Sequence, residues 1–407
     1  MTNHPDSPSD LSPETVCAHW GEDPAEYFGA AVPPIYQTSL FTGPSTSERF
    51  TGAHGKNAYS YSRVSNPTTG IVEAKLAALE GGEAARCFGS GMAAISGAIL
   101  SCVRAGDHVI AVDTAYGPTR GFLTDFAARF GVDTTFVEGS DPAEIRRAIR
   151  TETRLIYLES PSSGVMKQQD LGAVAAVAKE HGIATICDNS WASPVFQNPL
   201  AFGIDLVVHS ATKYLGGHSD IVAGAAIGNG DCINRLRQNE APSLGGMLDP
   251  FAAWLLLRGL RTLPIRMERH HQSARSIGLW LQQHPFVAHV YYPGLPGDPQ
   301  PRLTERQLRG TSGLLSFRLH RSDRDTTCGV IDRLRWFGIG CSWGGFESLA
   351  IPMLLPPDAT GAAEGEYIIR LHIGLEGVED LRADLDQALT GAHAGAPASH
   401  DREFARL

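Results

Sequence analysis

Lys213 stands in the run Ser210-Ala211-Thr212-Lys213, directly after an apolar segment, Asp205 to His209, that reads as a buried strand. Most lysines are surface residues. One desolvated at a strand end sheds its proton more easily and can form a Schiff base with a carbonyl carbon. The hydroxyls of Ser210 and Thr212 beside it suit phosphate oxygens. Asp188 follows a second apolar run, Ala184 to Cys187, and precedes Asn189-Ser190. Alone it reads as a turn or cap residue. With Lys213 on an adjacent parallel strand it gains another meaning. A pyridoxal ring held by the lysine at its aldehyde carbon needs a carboxylate at its opposite edge, to keep the ring nitrogen protonated. Gly89-Ser90-Gly91-Met92, between a strand at Ala85 to Phe88 and an apolar helix, supplies a third component. Such a turn presents backbone N–H groups and a positive helix end to an anion. It is neither a P-loop nor a dinucleotide-binding turn.

Four further residues fit the same chemistry. Tyr116, after a strand ending at Asp113, can stack on a flat ring or serve as a core or rim tyrosine. Tyr61 and Arg63 lie in a polar, Gly-bearing stretch with no regular pattern; Arg63 suits a phosphate clamp or a surface ion pair. Arg370 interrupts the apolar strand Ile368-Ile369-Arg370-Leu371. A charge there demands a partner, and a bidentate clamp for an amino-acid carboxylate answers that demand. His209, His218, His270, His271 and His372 do not share one helical face at metal-ligand spacing, so structural histidines and no metal are expected.

The elements that must position these groups follow from the hydrophobic pattern. From about Gly82 to Gly228, short apolar runs (His108 to Val112, Leu155 to Leu158, Ala184 to Cys187, Leu206 to His209) alternate with helical stretches such as Leu171 to His181. Strand, helix and strand in this order predict an α/β unit, a mostly parallel sheet covered by helices. Ligands in such sheets sit beyond the carboxyl ends of the strands. After about Asp249 a long helical region, Pro250 to roughly Gln283 with a break near Pro264, leads to strands at Leu314 to Leu319 and Ile368 to Ile373. This segregation predicts a smaller C-terminal α+β domain. Residues 1–10, rich in Pro, Ser and Asp, and the residues from about Ala396 read as disordered tails.

The chain has 407 residues and a formal net charge of -10, with no run of Lys or Arg that could face a polyanion. A nucleic-acid partner is therefore not expected. Basic residues between Arg258 and Arg269 alternate with apolar ones and read as the solvated side of a helix. The 7 cysteines are scattered and odd in number, without C-x-x-C spacing, which suits reduced cytosolic thiols. No apolar run approaches the roughly 20 residues needed to span a bilayer, and no secretory signal pattern opens the chain. A cytoplasmic enzyme acting on a small molecule is the expectation.

With Lys213, Asp188 and the glycine turn in place, the sequence resembles the Cys/Met-metabolism family of pyridoxal-phosphate enzymes, which includes cystathionine γ-synthase, cystathionine β- and γ-lyases and methionine γ-lyase. The motifs that carry the resemblance are Tyr61-Ser62-Arg63 with Asn66-Pro67-Thr68, Ser90-Gly91-Met92, Asp188-Asn189, Ser210 to Tyr214 with Gly217-His218-Ser219-Asp220, Ser342-Trp343-Gly344-Gly345, and Arg370 to Glu376. They span about residues 25–390. The resemblance implies a fold-type I, aspartate-aminotransferase-like large domain (61–250), a C-terminal α+β domain (251–395), a tail (396–407) and a homotetramer of two catalytic dimers. It implies that Lys213 carries pyridoxal 5'-phosphate and later moves protons, that Asp188 holds the pyridine nitrogen, and that Tyr116 stacks on the ring and takes part in catalysis. Gly91, Met92, Ser210 and Thr212 would bind the phosphate. Tyr61 and Arg63, at the end of an N-terminal arm (1–60), would reach the phosphate of the neighbouring subunit. Ser342, Trp343 and Arg370 would meet the substrate, its carboxylate held by Ser342 and Arg370.

Within the family the motifs form a mosaic. Trp191, Phe202-Gly203-Ile204-Asp205, Trp343, the stretch Ile369 to Glu376 and Ser163 resemble bacterial cystathionine β-lyase, which points to a carbon–sulfur lyase in transsulfuration and methionine biosynthesis. Val32-Pro33-Pro34-Ile35 and Asn66-Pro67-Thr68 are more similar to γ-synthase and γ-lyase, so a γ-elimination or γ-replacement enzyme, also of a specialised pathway, stays open. Cys341 stands where γ-synthases often carry Glu and β-lyase Tyr.

Overall fold

Short apolar runs of the first half pair into one sheet because they are buried on both faces and must bond their backbones laterally, with a partly exposed segment at 133–137 closing one edge. In the computed structural model, which describes residues 7–43, 45–47, 59–355 and 365–393, they form β1 (Ala84–Phe88), β2 (His108–Val112), β3 (Asp133–Val137), β4 (Thr153–Glu159), β5 (Ala184–Asp188), β6 (Leu206–His209) and β7 (Gly224–Gly228). The strand order is β1-β7-β6-β5-β4-β2-β3. β2 to β6 run parallel, and β7 runs antiparallel to both of its neighbours. The expected α/β fold with a mostly parallel sheet is the one observed. Helices Pro67–Glu80, Gly91–Cys102 and Leu171–His181 supply apolar cover on the sheet faces.

β8 (Val287–Tyr291), β9 (Leu314–Leu319), β10 (Gly338–Ile339), β11 (Leu349–Leu354) and β12 (Tyr367–His372) build a second sheet, ordered β10-β11-β12-β9-β8. Its pairings are antiparallel except β10 with β11. The helical region before it divides into Pro250–Arg261 and Leu263–Leu281, turning at Thr262. The turn comes ahead of Pro264 because proline is tolerated in a first helical turn, where its missing N–H leaves no bond unmade.

Two expectations change here. Pro8–Asp10 forms a 3-10 turn whose N-cap is the Ser7 hydroxyl, so this part of the expected tail has structure; residues 1–6 and the expected tail 396–407 lie outside the described residues. The basic stretch Arg258 to Arg269 is not wholly a solvated face. Arg266 is buried, and its guanidinium donates to the carbonyls of Tyr214 and Gly259, both at 2.8 Å, and to Thr262 Oγ1 at 3.0 Å. It thereby ties the long helix to the residue after Lys213. A second buried cation, Lys75, donates to the Cys17 carbonyl at 2.7 Å and to Glu22 at 2.9 Å. Arg261 takes the other Glu22 oxygen at 2.7 Å. This trio fastens the N-terminal helix Pro13–His19 to both halves of the chain.

Candidate active site

The carboxyl ends of β4, β5 and β6 open into a cavity of about 240 Å³, the place where parallel sheets present their loops to ligands. Lys213 reaches it from the turn after β6, whose Lys213 N–H donates to the Ser210 carbonyl at 3.0 Å. Its Nζ donates to Ser342 Oγ at 2.8 Å and lies 5.3 Å from the centre of the Trp343 ring. Burial, helped by the nearby Arg370 charge, pulls the amine down from its ordinary 10.5 to about 8, against the opposing pull of Cys341 and Asp188. Such an amine is a usable nucleophile near neutrality. Gly344 makes this approach possible. Its φ is +87°, and a Cβ there would come within 2.6 Å of the Tyr214 nitrogen. Only glycine lets this loop lie on the backbone beside Lys213.

Asp188 ends β5 in register with Glu159 of β4 and Val208 of β6. Its Oδ1 accepts the Ser190 N–H at 2.9 Å, and burial raises its pKa against that bond and the nearby His209 and Lys213. Glu159 accepts the N–H groups of Tyr116 at 2.6 Å and Ser163 at 2.7 Å. Burial first, and the adjacent Asp188 second, push it up to about 7.

The glycine turn heads the helix Gly91–Cys102, with the Ser90 hydroxyl accepting the Ala93 N–H at 3.0 Å. The N–H groups of Gly91 and Met92 in the first turn have no intrahelical carbonyl to serve. A Cβ on Gly91 would meet Ser210 Cβ and Oγ at 2.8 Å, so glycine is what admits the Ser210 hydroxyl to this helix end. Thr212 also lines the cavity, while its hydroxyl exchanges bonds with the Ala223 backbone at 3.0 and 3.1 Å. Helix N–H groups, a hydroxyl, a deprotonatable lysine and a buried carboxylate form a donor set that fits pyridoxal phosphate: anion cradle, aldehyde partner and ring-nitrogen partner in one cavity.

Tyr116 lines the same cavity and is half exposed, its phenol pushed up by burial. Arg370, on β12, is buried, and its guanidinium donates to the Cys341 carbonyl at 2.6 Å and the Ser163 carbonyl at 3.3 Å. Among the described residues no carboxylate forms an ion pair with it, and a buried cation without a counter-ion has the chemistry to hold an anion. Tyr61 and Arg63 do not join the cavity of their own chain. Arg63 donates to the Pro242 carbonyl at 2.6 Å and lies 5.7 Å from the Tyr61 ring centre, and Tyr61 is 46% exposed.

Glu159 was missed by sequence reasoning, although the signal was present: it closes the apolar run Leu155 to Leu158 as Asp188 closes the next. Ser190, whose Oγ accepts the Ser210 N–H at 2.7 Å, was legible only as a neighbour of Asp188. The cluster below the lysine was also hidden. Tyr214 packs against Trp343, His270 and His372 with ring centres 5.3, 5.2 and 5.9 Å away, and burial holds both imidazoles neutral. Among the described residues no His, Cys, Asp and Glu group is arranged to hold a metal ion, and no helix is long and apolar enough to cross a membrane.

The model of the Cys/Met metabolism PLP-dependent enzyme family matches residues 14–390. An L-methionine gamma-lyase of Porphyromonas gingivalis is 40% identical over 89% of this chain and 93% of its own length. A cystathionine beta-lyase of Coxiella burnetii is 38% identical over 92% of this chain and 97% of its own. The crystal structure of metB from Corynebacterium glutamicum superposes with a TM-score of 0.87 at 33% identity, covering 95% of this chain and 100% of that one. The α/β sheet, the cavity at its carboxyl edge and these likenesses agree: the chain belongs to the Cys/Met metabolism family of pyridoxal-phosphate enzymes and is a carbon–sulfur lyase acting on an amino acid.

Proposed function

We propose that this lyase carries out β-elimination on cystathionine or a closely related sulfur amino acid, releasing a thiol, pyruvate and ammonia. Bound pyridoxal phosphate supplies an aldehyde that captures the substrate amine and a ring that accepts the electron pair left at Cα. In this reading Lys213 holds the cofactor and then takes the Cα proton on Nζ, Asp188 keeps a proton on the ring nitrogen, and Tyr116 covers the ring. Gly91, Met92, Ser210 and Thr212 hold the phosphate, and Arg370 and Ser342 hold the substrate carboxylate. Tyr61 and Arg63 complete the site of a second subunit within a homotetramer, and residues 61–250 act as the cofactor domain beside a smaller one at 251–395.

The observation that carries the β assignment is the setting of the Lys213 amine, between the Ser342 hydroxyl at 2.8 Å and the Trp343 ring at 5.3 Å. An amine restrained on two sides serves one carbon well, whereas γ-elimination asks it to move protons at Cα and Cβ in turn. Asn66-Pro67-Thr68, which favoured a γ-enzyme, is accounted for by packing. Asn66 is buried and caps the helix Pro67–Glu80, accepting the Thr68 N–H at 2.9 Å. The γ-elimination reading keeps specific support in the γ-lyase relatives, the methionine gamma-lyase at 40% identity among them, and in Val32-Pro33-Pro34-Ile35. Incubation with L-cystathionine decides between them. Pyruvate with homocysteine supports β-elimination; 2-oxobutyrate with cysteine refutes it.

A further inference from the structure

Among the described residues, Glu159 is the one buried acid in the cavity wall to which the proposed reaction gives no task. It has 4% of its surface exposed, and its two carboxyl oxygens accept backbone N–H groups from two different loops. Oε2 accepts from Tyr116, in the loop after β2, at 2.6 Å. Oε1 accepts from Ser163, in the loop after β4, at 2.7 Å. Ser163 in turn offers its carbonyl to Arg370 at 3.3 Å. One carboxyl therefore spans the floor of the cavity from the aromatic side, Tyr116, to the cationic side, Arg370. The arrangement carries an electrostatic cost, because Asp188 lies in register on the next strand and its side chain shares this sheet face. Two carboxyls side by side in a dry site repel. A neutral side chain would fill the space without that cost, so the acid's place here is explained by the two N–H groups it accepts. Bonds from N–H groups to a carboxylate are stronger than bonds to a neutral acceptor.

We propose that Glu159 is a positioning residue that clamps the Tyr116 loop and the Ser163 loop together, so that the ring-stacking tyrosine and the Arg370 carboxylate site keep a fixed separation. The proposal rests on the cavity being the cofactor and substrate site. In that setting the clamp acts on both partners of the reaction: the Tyr116 side sets the tilt of the cofactor ring, and the Ser163 side sets where Arg370 holds the substrate. A mobile clamp lets both drift, and displacements on the order of 1 Å cost roughly 100-fold in rate.

The test uses the holoenzyme and three variants. Glu159→Gln keeps the shape but turns an NH2 group toward one of the two N–H donors. Glu159→Asp keeps the charge but is one methylene too short to serve both loops. Glu159→Ala removes both acceptors. Amide hydrogen exchange should quicken about tenfold or more at both Tyr116 and Ser163 in Glu159→Ala, and at one of them in Glu159→Gln. In Gln and Asp variants kcat should fall and KM rise together, with altered visible circular dichroism of the bound cofactor. If Glu159→Ala does not fold, the Gln and Asp variants carry the test. Unchanged exchange at both amides overturns the proposal, as does an Asp variant indistinguishable from wild type, which would make charge alone the role. Wild type that acquires no cofactor absorbance at all would instead refute the reading of the site.

Discussion

Opening the wall beside Lys213 should raise the pKa of its amine and slow its capture of the cofactor at neutral pH. Burial is the largest cause holding Lys213 at about 8 instead of 10.5, a difference of about 3.4 kcal/mol at 1.36 kcal/mol per unit. At pH 7 about one amine in ten is then neutral, against roughly one in three thousand for an unperturbed lysine. Trp343→Ala acts in two opposed ways. It admits water to the amine, which favours the charged form; restoring half of the lost hydration is worth about 1.7 kcal/mol. It also removes the ring 5.3 Å from Nζ, whose attraction for the ammonium is about 0.5–1 kcal/mol. Hydration wins by about 1 kcal/mol, and the midpoint moves up toward 9. The assay is the rate at which cofactor-free enzyme develops the visible absorbance of lysine-bound pyridoxal phosphate, followed across a pH series. The neutral fraction at pH 7, and with it that rate, should drop about fivefold. Because Trp343 is buried, the variant also loses about 3–5 kcal/mol of stability, so its fold is checked by far-ultraviolet circular dichroism, with Trp343→Phe as the milder companion. A midpoint that stays at about 8 or moves down would refute the assignment of the shift to burial.

Three other outcomes follow from the same geometry. Gly91→Ala would force a Cβ to within 2.8 Å of Ser210; overpacking should cost about 1–3 kcal/mol of stability, read by thermal melting, and equilibrium reconstitution should show weakened cofactor binding. Arg370→Lys loses the planar two-pronged donor, so KM for the amino acid should rise about tenfold or more while the cofactor spectrum stays as in wild type. Arg63→Ala and Lys213→Ala are each expected to be inactive. Mixed under conditions that exchange subunits, they should regain activity if Arg63 serves the partner's site, and stay inactive if it serves its own.

Much of this site was legible in the sequence because its key groups sit at the ends of apolar runs. Lys213 and Asp188 stand out as charges terminating segments that can only be buried strands, and strand registry then brings those ends to one edge of the sheet. Arg370 was legible for the same reason, as a charge inside an apolar strand. Glu159 obeys the identical rule and escaped notice, since an acid at a strand end also reads as an ordinary turn residue. Arg266 was misread because its partners are backbone carbonyls, Tyr214 and Gly259, and a carbonyl leaves no residue-type signal. The aromatic and imidazole cluster of Tyr214, Trp343, His270 and His372 comes from four segments far apart in the chain. Its assembly depends on how the second sheet docks against the first, which no local pattern encodes. The Asn66-Pro67-Thr68 motif carries two signals at once, a family resemblance and a helix cap in which Asn66 accepts the Thr68 N–H at 2.9 Å.

The central claim is that Lys213 carries the cofactor. Borohydride reduction of the holoenzyme, followed by digestion and peptide mass mapping, tests it most directly. A single modified peptide is expected, bearing the reduced pyridoxal phosphate on Lys213 and absent from Lys213→Ala. Modification at another lysine, or no modification in enzyme that retains activity, would contradict it.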